Sequence, residues 1–264
     1  MKYFLSGLLM VLAVSASAQQ RINSSFSFQT DPAKHSSIYV PSGYAEGTPH
    51  RLMLGLHPWN TARWDGESWC DTLINFAETN NLLLICPDGG ADGQVDDDID
   101  TAFTTVLLDS MQIWYSVDVD KIYAMGFSWG SLTTYTYGLN HHNRFAGFLP
   151  TGSAMDGTSD VTSVLANASG KPYYIVHGSQ DSPSTRFAPI RDALINNGAV
   201  VNTNLLQGVG HTIDFANRNQ ILTTAFQWID SVNCAVDTTT ATGFRAETQT
   251  GFKAFPTAVS AGGS

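Results

Sequence analysis

Between about Phe26 and Val232 the chain alternates short apolar runs with amphipathic stretches, and this alternation limits the fold more than any other feature. Apolar runs at 51–57, 82–86, 121–127, 145–150, 172–177 and 200–206 read as strands. Stretches at 69–80, 98–115, 131–139, 185–197 and 214–232 read as helices, with Phe103, Val106, Leu107 and Met111 forming one stripe of the second. Strands alternating with helices imply βαβ units and a mostly parallel central sheet. The runs are apolar throughout, as expected of strands covered by helices on both faces. Ligands of such sheets sit beyond the carboxyl ends of the strands, so chemistry is sought just after each apolar run.

Gly126-Phe127-Ser128-Trp129-Gly130 follows one of these strands and precedes a helix. A serine on so sharp a turn projects its hydroxyl above the sheet. Glycines on both sides let strand and helix approach closely, and the helix N-terminus favours developing negative charge nearby. This context resembles the nucleophile elbow of the α/β-hydrolases.

An unaided serine hydroxyl is a poor nucleophile and needs a base, itself oriented by an acid. In the fold just named, the acid and then the histidine follow the serine. Four histidines follow Ser128. His211 lies in the glycine-rich stretch Gly208-Val209-Gly210-His211-Thr212 at a strand end and is the expected base. His177 ends an apolar strand and reads as a buried structural residue, whereas His141 and His142 are expected to be solvated. Asp181, in His177-Gly178-Ser179-Gln180-Asp181, is the favoured acid over Asp156, Asp160 and Asp192. Asp214 reads as a helix N-cap.

The oxyanion donors expected are the backbone N–H groups of Trp129, after the serine, and Trp59, in Leu56-His57-Pro58-Trp59-Asn60. Pro58 has no N–H to offer, and His57 reads as a loop brace. Trp59, Trp129 and Trp64 are the candidate substrate-binding side chains. The run Asp96-Asp97-Asp98-Ile99-Asp100, with Asp92 nearby, invites a calcium reading. Its spacing is not that of an EF-hand loop, and acidic residues suit a helix start. No metal and no cofactor is expected.

Leu56-His57, Pro87-Asp88-Gly89, Val117-Asp118, Lys121-Ile122-Tyr123, the elbow, Phe145-Ala146-Gly147, His177 to Asp181 and Gly210-His211-Thr212 occur in an order that resembles one group. It is the secreted α/β-hydrolase esterases: feruloyl esterases, acetyl xylan esterases and poly(3-hydroxybutyrate) depolymerases. The resemblance spans roughly residues 36–230. It implies an α/β-hydrolase fold, a Ser128, Asp181 and His211 triad, and an ester of a polysaccharide or a polyester as substrate. Two positions depart from the group's pattern: Pro58 stands where a glycine usually follows the histidine, and Ser131 where a second glycine closes the elbow. A serine peptidase on the same fold and a non-catalytic carbohydrate-binding protein are the alternatives.

The 264 residues carry a net charge of −10, which disfavours nucleic acid as a partner. Lys2, the apolar run 3–14 and Ala16-Ser17-Ala18 read as a signal peptide over 1–18, too short to span a bilayer. The catalytic domain is expected over 19–234, secreted and without a membrane partner once the signal is cleaved. Of the three cysteines, Cys86 lies in a strand and reads as core, leaving Cys70 and Cys234 as the favoured disulfide. Residues 235–264 read as a linker and tail. From Ala254 to Ser260 the tail resembles the opening strand of the sorting domain of Bacteroidetes type IX secretion, with a frayed end as the alternative.

Overall fold

The computed structural model describes residues 20–24, 31, 34–59, 62–152 and 159–237. In chain order the strands are β1 (Gln20–Ser24), β2 (Ser36–Val40), β3 (His50–Leu56), β4 (Leu83–Pro87), β5 (Val117–Phe127), β6 (Gly147–Thr151), β7 (Pro172–Gly178) and β8 (Val200–Leu206). The helices are α1 (Gly66–Asn80), α2 (Asp97–Trp114), α3 (Trp129–Asn140), α4 (Ser159–Thr162), α5 (Pro183–Arg186), α6 (Ala188–Asn196) and α7 (Arg218–Asp237). They form an eight-stranded sheet in the order β1-β2-β4-β3-β5-β6-β7-β8. The pairs from β4 to β8 are parallel, and β1 and β2 join antiparallel at one edge.

The apolar runs serve two cores because successive strand side chains point to opposite faces. Leu52, Leu54, Leu83, Ile85, Ile122 and Ala124 pack beneath α2, α3 and α6. Met53, Leu84, Cys86, Tyr123 and Met125 pack beneath α1 and α7. In the second core, Phe226 sits edge-on between Phe76 and Tyr123, with ring centroids 6.0 and 5.0 Å away. Burying such a ring stabilises the fold by about 1.5–3 kcal/mol.

Local signals set several boundaries. Asp65 caps α1 by accepting from Ser68 N at 2.7 Å, while the Ser68 hydroxyl accepts from Asp65 N at 3.0 Å. Asn81 ends that helix in a left-handed conformation, φ 51°. The stretch expected as one helix over 185–197 is two, α5 and α6, because Pro189 lacks an N–H and fits only a first helical turn. α7 begins at Arg218 rather than 214 and runs past the expected domain boundary to Asp237. Asp214 is therefore not its cap. Its carboxylate pairs instead with Arg63 and Arg218.

The expected signal peptide and tail lie outside the described residues. Cys70 and Cys86 are buried, and the Cys234 side chain, with its expected pairing, also lies outside them. No helix among the described residues is long and apolar enough to cross a membrane.

Candidate active site

The central strand β5 delivers Ser128 to the carboxyl edge of the sheet in a conformation that L-residues rarely adopt, φ 55° and ψ −114°. Such strain costs on the order of 1–3 kcal/mol and persists only where the surroundings enforce it. Here they do. A Cβ on Gly126 would overlap the Gly130 carbonyl, and one on Gly130 would overlap the Leu56 carbonyl. The turn is tied down by Ser128 N donating to Thr151 O at 3.1 Å. Ser128 O accepts from Ser131 N at 3.0 Å and Leu132 N at 3.1 Å.

His211 and Asp181 arrive from loops after β8 and β7. His211 Nε2 lies 2.8 Å from Ser128 Oγ, and Nδ1 lies 2.7 Å from Asp181 Oδ2. With Nδ1–H donating to the carboxylate, Nε2 is left to accept the serine proton. The two loops are stitched together. Ser179 N donates to Leu206 O at 2.9 Å, Gln180 N to Val209 O at 2.8 Å, and Gly208 N to Ser179 Oγ at 2.9 Å. A side chain on Gly178 would overlap the Val209 carbonyl. The Phe127 ring backs the imidazole at 4.9 Å. The Asp181 side chain is 8% exposed and that of His211 is 39% exposed, so the acid is sheltered while the base faces the cleft.

The carboxyl ends of β5, β7 and β8 thus carry serine, acid and histidine, with β6 between the first two and a helix starting at the serine. The chain has the α/β-hydrolase fold. It superposes on an S-formylglutathione hydrolase from Agrobacterium tumefaciens with a TM-score of 0.64 and 13% identity, covering 81% of this chain and 98% of that one. A feruloyl esterase module from Clostridium thermocellum, solved with sinapinate, gives a TM-score of 0.60 at 14% identity, over 79% and 87% of the chains. In sequence, the chain is 29% identical over 152 residues to a bifunctional acetylxylan esterase/xylanase from Neocallimastix patriciarum. That match covers 54% of this chain and 21% of that protein, so the chain spans about a fifth of the relative's length. No family model matches the sequence. The relatives agree with the esterase group that the motif order resembles.

In this fold, Ser128 and His211 open onto a cleft of about 170 Å³ walled by Trp59, Arg63, Trp64 and Ile213. Trp59 is 58% exposed at the rim. Trp64 is buried, edge-on to the core residue Trp69 at 5.6 Å, with the Arg63 guanidinium 4.2 Å over its ring. The Trp129 side chain, expected beside the substrate, instead donates from Nε1 to Asp96 Oδ1 at 2.9 Å. It lines a separate cavity of about 320 Å³ with Asp97, Asp98 and Thr136. The Trp129 backbone N–H, at the first helical position, has no acceptor within its helix.

His57 is fully buried. Its Nε2 accepts from Gly89 N at 2.9 Å and its Nδ1–H donates to Pro58 O at 3.0 Å, tying the β3 loop to the β4 loop. His177 is also buried, with Nε2 2.9 Å from the Asp181 carbonyl, and burial holds its pKa below the usual 6.5. His141 and His142 differ from expectation. They are half-buried, and the His141 ring packs 4.3 Å from Tyr137.

Of the rival acids, Asp192 pairs with Arg191 on the surface. Asp156 and the side chain of Asp160 lie outside the described residues. The acidic run does begin α2, but Asp96 makes no side-chain cap bond. Asp100 is buried, pairs with Lys34, and accepts from Asp96 N at 2.9 Å. Burial pushes the carboxyls of Asp96 and Asp100 above the usual 3.8. Among the described residues no three His, Cys, Asp or Glu side chains converge as a metal site.

Two residues at the site carry no signal in the sequence. Arg63 is a lone cation in a polar loop. Arg186, beside Asp181 and His211, follows Ser182-Pro183-Ser184-Thr185 with no periodicity or motif to mark it.

Proposed function

We propose that this chain is a secreted carboxylic-ester hydrolase acting through Ser128, His211 and Asp181. The observation that carries the reading is the continuous relay of 2.8 and 2.7 Å contacts from Ser128 Oγ through His211 to Asp181. Ser128 Oγ attacks the ester carbonyl and passes its proton to His211 Nε2. The resulting oxyanion is stabilised by the backbone N–H groups of Trp129 and Trp59, each donor contributing about 3 kcal/mol in such sites. His211 then protonates the departing alcohol, leaving an acyl group on Ser128. A water molecule, deprotonated by His211, attacks that acyl group; the C–O bond to Ser128 breaks, His211 returns the proton to Ser128 Oγ, and the acid is released. Asp181 stays ionised and balances the imidazolium. Side chains and water suffice for every step, with no cofactor.

The substrates proposed are acetyl or feruloyl esters of polysaccharides, or polyesters such as polyhydroxybutyrate. The cleft supports a short acyl group. At about 170 Å³ it falls below the roughly 300 Å³ of an ordinary ligand pocket. The remainder of the substrate then lies over the exposed Trp59, whose flat face suits a sugar or aryl ring. The acetylxylan esterase and feruloyl esterase relatives support the same class. Secretion is proposed from Lys2, the apolar run and the Ala16-Ser17-Ala18 pattern.

A panel of acetyl, feruloyl and hydroxybutyrate esters tests the reading. Hydrolysis of at least one, lost in folded Ser128→Ala, is expected. Hydrolysis that persists in Ser128→Ala contradicts the reading, as does a wild-type chain inert to the whole panel.

A further inference from the structure

Asp181 is held from two sides. His211 Nδ1 lies 2.7 Å from Oδ2 in a hydrogen bond, and Arg186 Nε lies 3.2 Å from Oδ1 as a charge pair, its N–H not aimed for a hydrogen bond. The Asp181 and Arg186 side chains are 8% and 21% exposed, and a partly buried charge pair is screened less by salt than one in bulk water. The arginine is brought back by the local chain geometry. Ser182 adopts a left-handed φ of 46°. Its carbonyl then accepts from Thr185 N at 3.1 Å and Arg186 N at 3.0 Å, closing the single turn of α5.

The same guanidinium reaches the histidine, with Nη2 3.4 Å from His211 Nδ1. This contact is not a hydrogen bond when the ring serves as base. Nδ1 then carries the proton given to Asp181, and an arginine N–H only donates. The guanidinium therefore borders the ring edge while its charge engages the carboxylate. His177 also approaches Asp181, at 3.7 Å from Oδ2, but its Nε2 is already engaged by the Asp181 carbonyl at 2.9 Å.

We propose that Arg186 is a positioning residue of the triad, its charge holding the Asp181 carboxylate in the orientation that receives His211. The inference rests on the esterase reading above. The terminal torsion of an aspartate is soft and broad. One contact, to Oδ2, leaves the carboxylate free to swing about it. The guanidinium charge beside Oδ1 favours the orientation that keeps this oxygen facing it, as outer partners do for other functional side chains. Substrate binding does not pass through this contact, so its loss lowers kcat and spares KM.

The test compares the full chain with Arg186→Met, which keeps the stem and loses the charge, and Arg186→Lys, which keeps the charge. Steady-state kinetics use the panel ester that the wild type hydrolyses fastest, with circular dichroism to verify folding. Arg186→Met is expected to lower kcat about ten-fold with KM within about two-fold, and Arg186→Lys to recover part of the loss. If Arg186→Met does not fold, Arg186→Gln takes its place.

A charge-free variant with wild-type kcat overturns the proposal. So does a loss confined to KM, which would mark a substrate contact, or a loss that Arg186→Lys does not reduce. A wild-type chain that hydrolyses no ester overturns the esterase reading and this proposal together. An active wild type with an indifferent charge-free variant overturns the proposal alone.

Discussion

Beneath Ser128 the backbone leaves almost no freedom, whereas at the rim of the same cleft exposed side chains are held by side-chain contacts alone. Gly126 and Gly130 meet main-chain carbonyls where a Cβ would stand, and Asp181 is 8% exposed among paired neighbours. Across the cleft, Trp59 is 58% exposed and the Arg63 side chain 51% exposed. The floor is fixed by contacts between backbone segments, so few residue types are compatible with it. At the rim many side chains would be accommodated. On the proposed function, reaction type lies with the floor and substrate choice with the rim, and the two should separate in kinetics.

The largest effect that would break this division lies with the acid. Asp181→Asn leaves the shape of the floor but favours the wrong imidazole tautomer, and a fall in kcat of about 10⁴-fold is expected. A mild effect in steady-state kinetics would move the acid elsewhere, to Asp156 or Asp160. At the rim the expected change is smaller and of another kind. Trp59→Ala keeps the backbone N–H proposed for the oxyanion, so KM should rise several-fold with kcat nearly unchanged. A collapse of kcat would show that the side chain of Trp59 shapes the oxyanion loop and that floor and rim are not separable.

The smallest effect concerns three histidines packed into the fold, His177 beside Asp181 and His50 and His141 away from the cleft. Burial lowers the pKa of His50, His141 and His177 from 6.5. The unfolded chain therefore takes up protons first as pH falls, and stability rises with pH in this range. Their contribution is complete above about pH 6.5 and is lost as pH drops through the lowered folded-state values. The thermal midpoint, followed against pH, should decline below that point. His50→Gln should flatten part of the decline, and an unchanged slope would remove His50 from the account.

The same contrast explains what the sequence revealed. Ser128 stands between two glycines at a strand–helix junction, and Asp181 and His211 each follow a strand in a glycine-containing loop. These are local patterns, visible without tertiary contacts. The apolar runs of β3 to β7 were equally legible because both faces are buried. β1 and β2 are not legible in the same way: Gln20–Ser24 is mostly polar, the apolar run of Ser36–Val40 is only Ile38, Tyr39 and Val40, and both become strands by pairing at the antiparallel edge. Asp214 had the chemistry of a helix cap, but two arginines distant in sequence or one turn along take its carboxylate. The partner of the Trp129 ring, Asp96, is 33 positions away in sequence, and the cavity that Trp129 lines is not the one that holds Ser128 and His211, neither of which a local pattern marks. Arg186 needed the left-handed turn at Ser182 to bring it back, and no side-chain pattern encodes that return.

The central claim is that Ser128 is the nucleophile, and covalent trapping addresses it most directly. The folded chain is incubated with a fluorophosphonate, digested, and the adduct located by peptide mass spectrometry. The account predicts one phosphonyl group on Ser128, absent from Ser128→Ala and suppressed by an excess of a hydrolysable ester. An active chain that carries no adduct, or whose adduct sits on another residue, would contradict it.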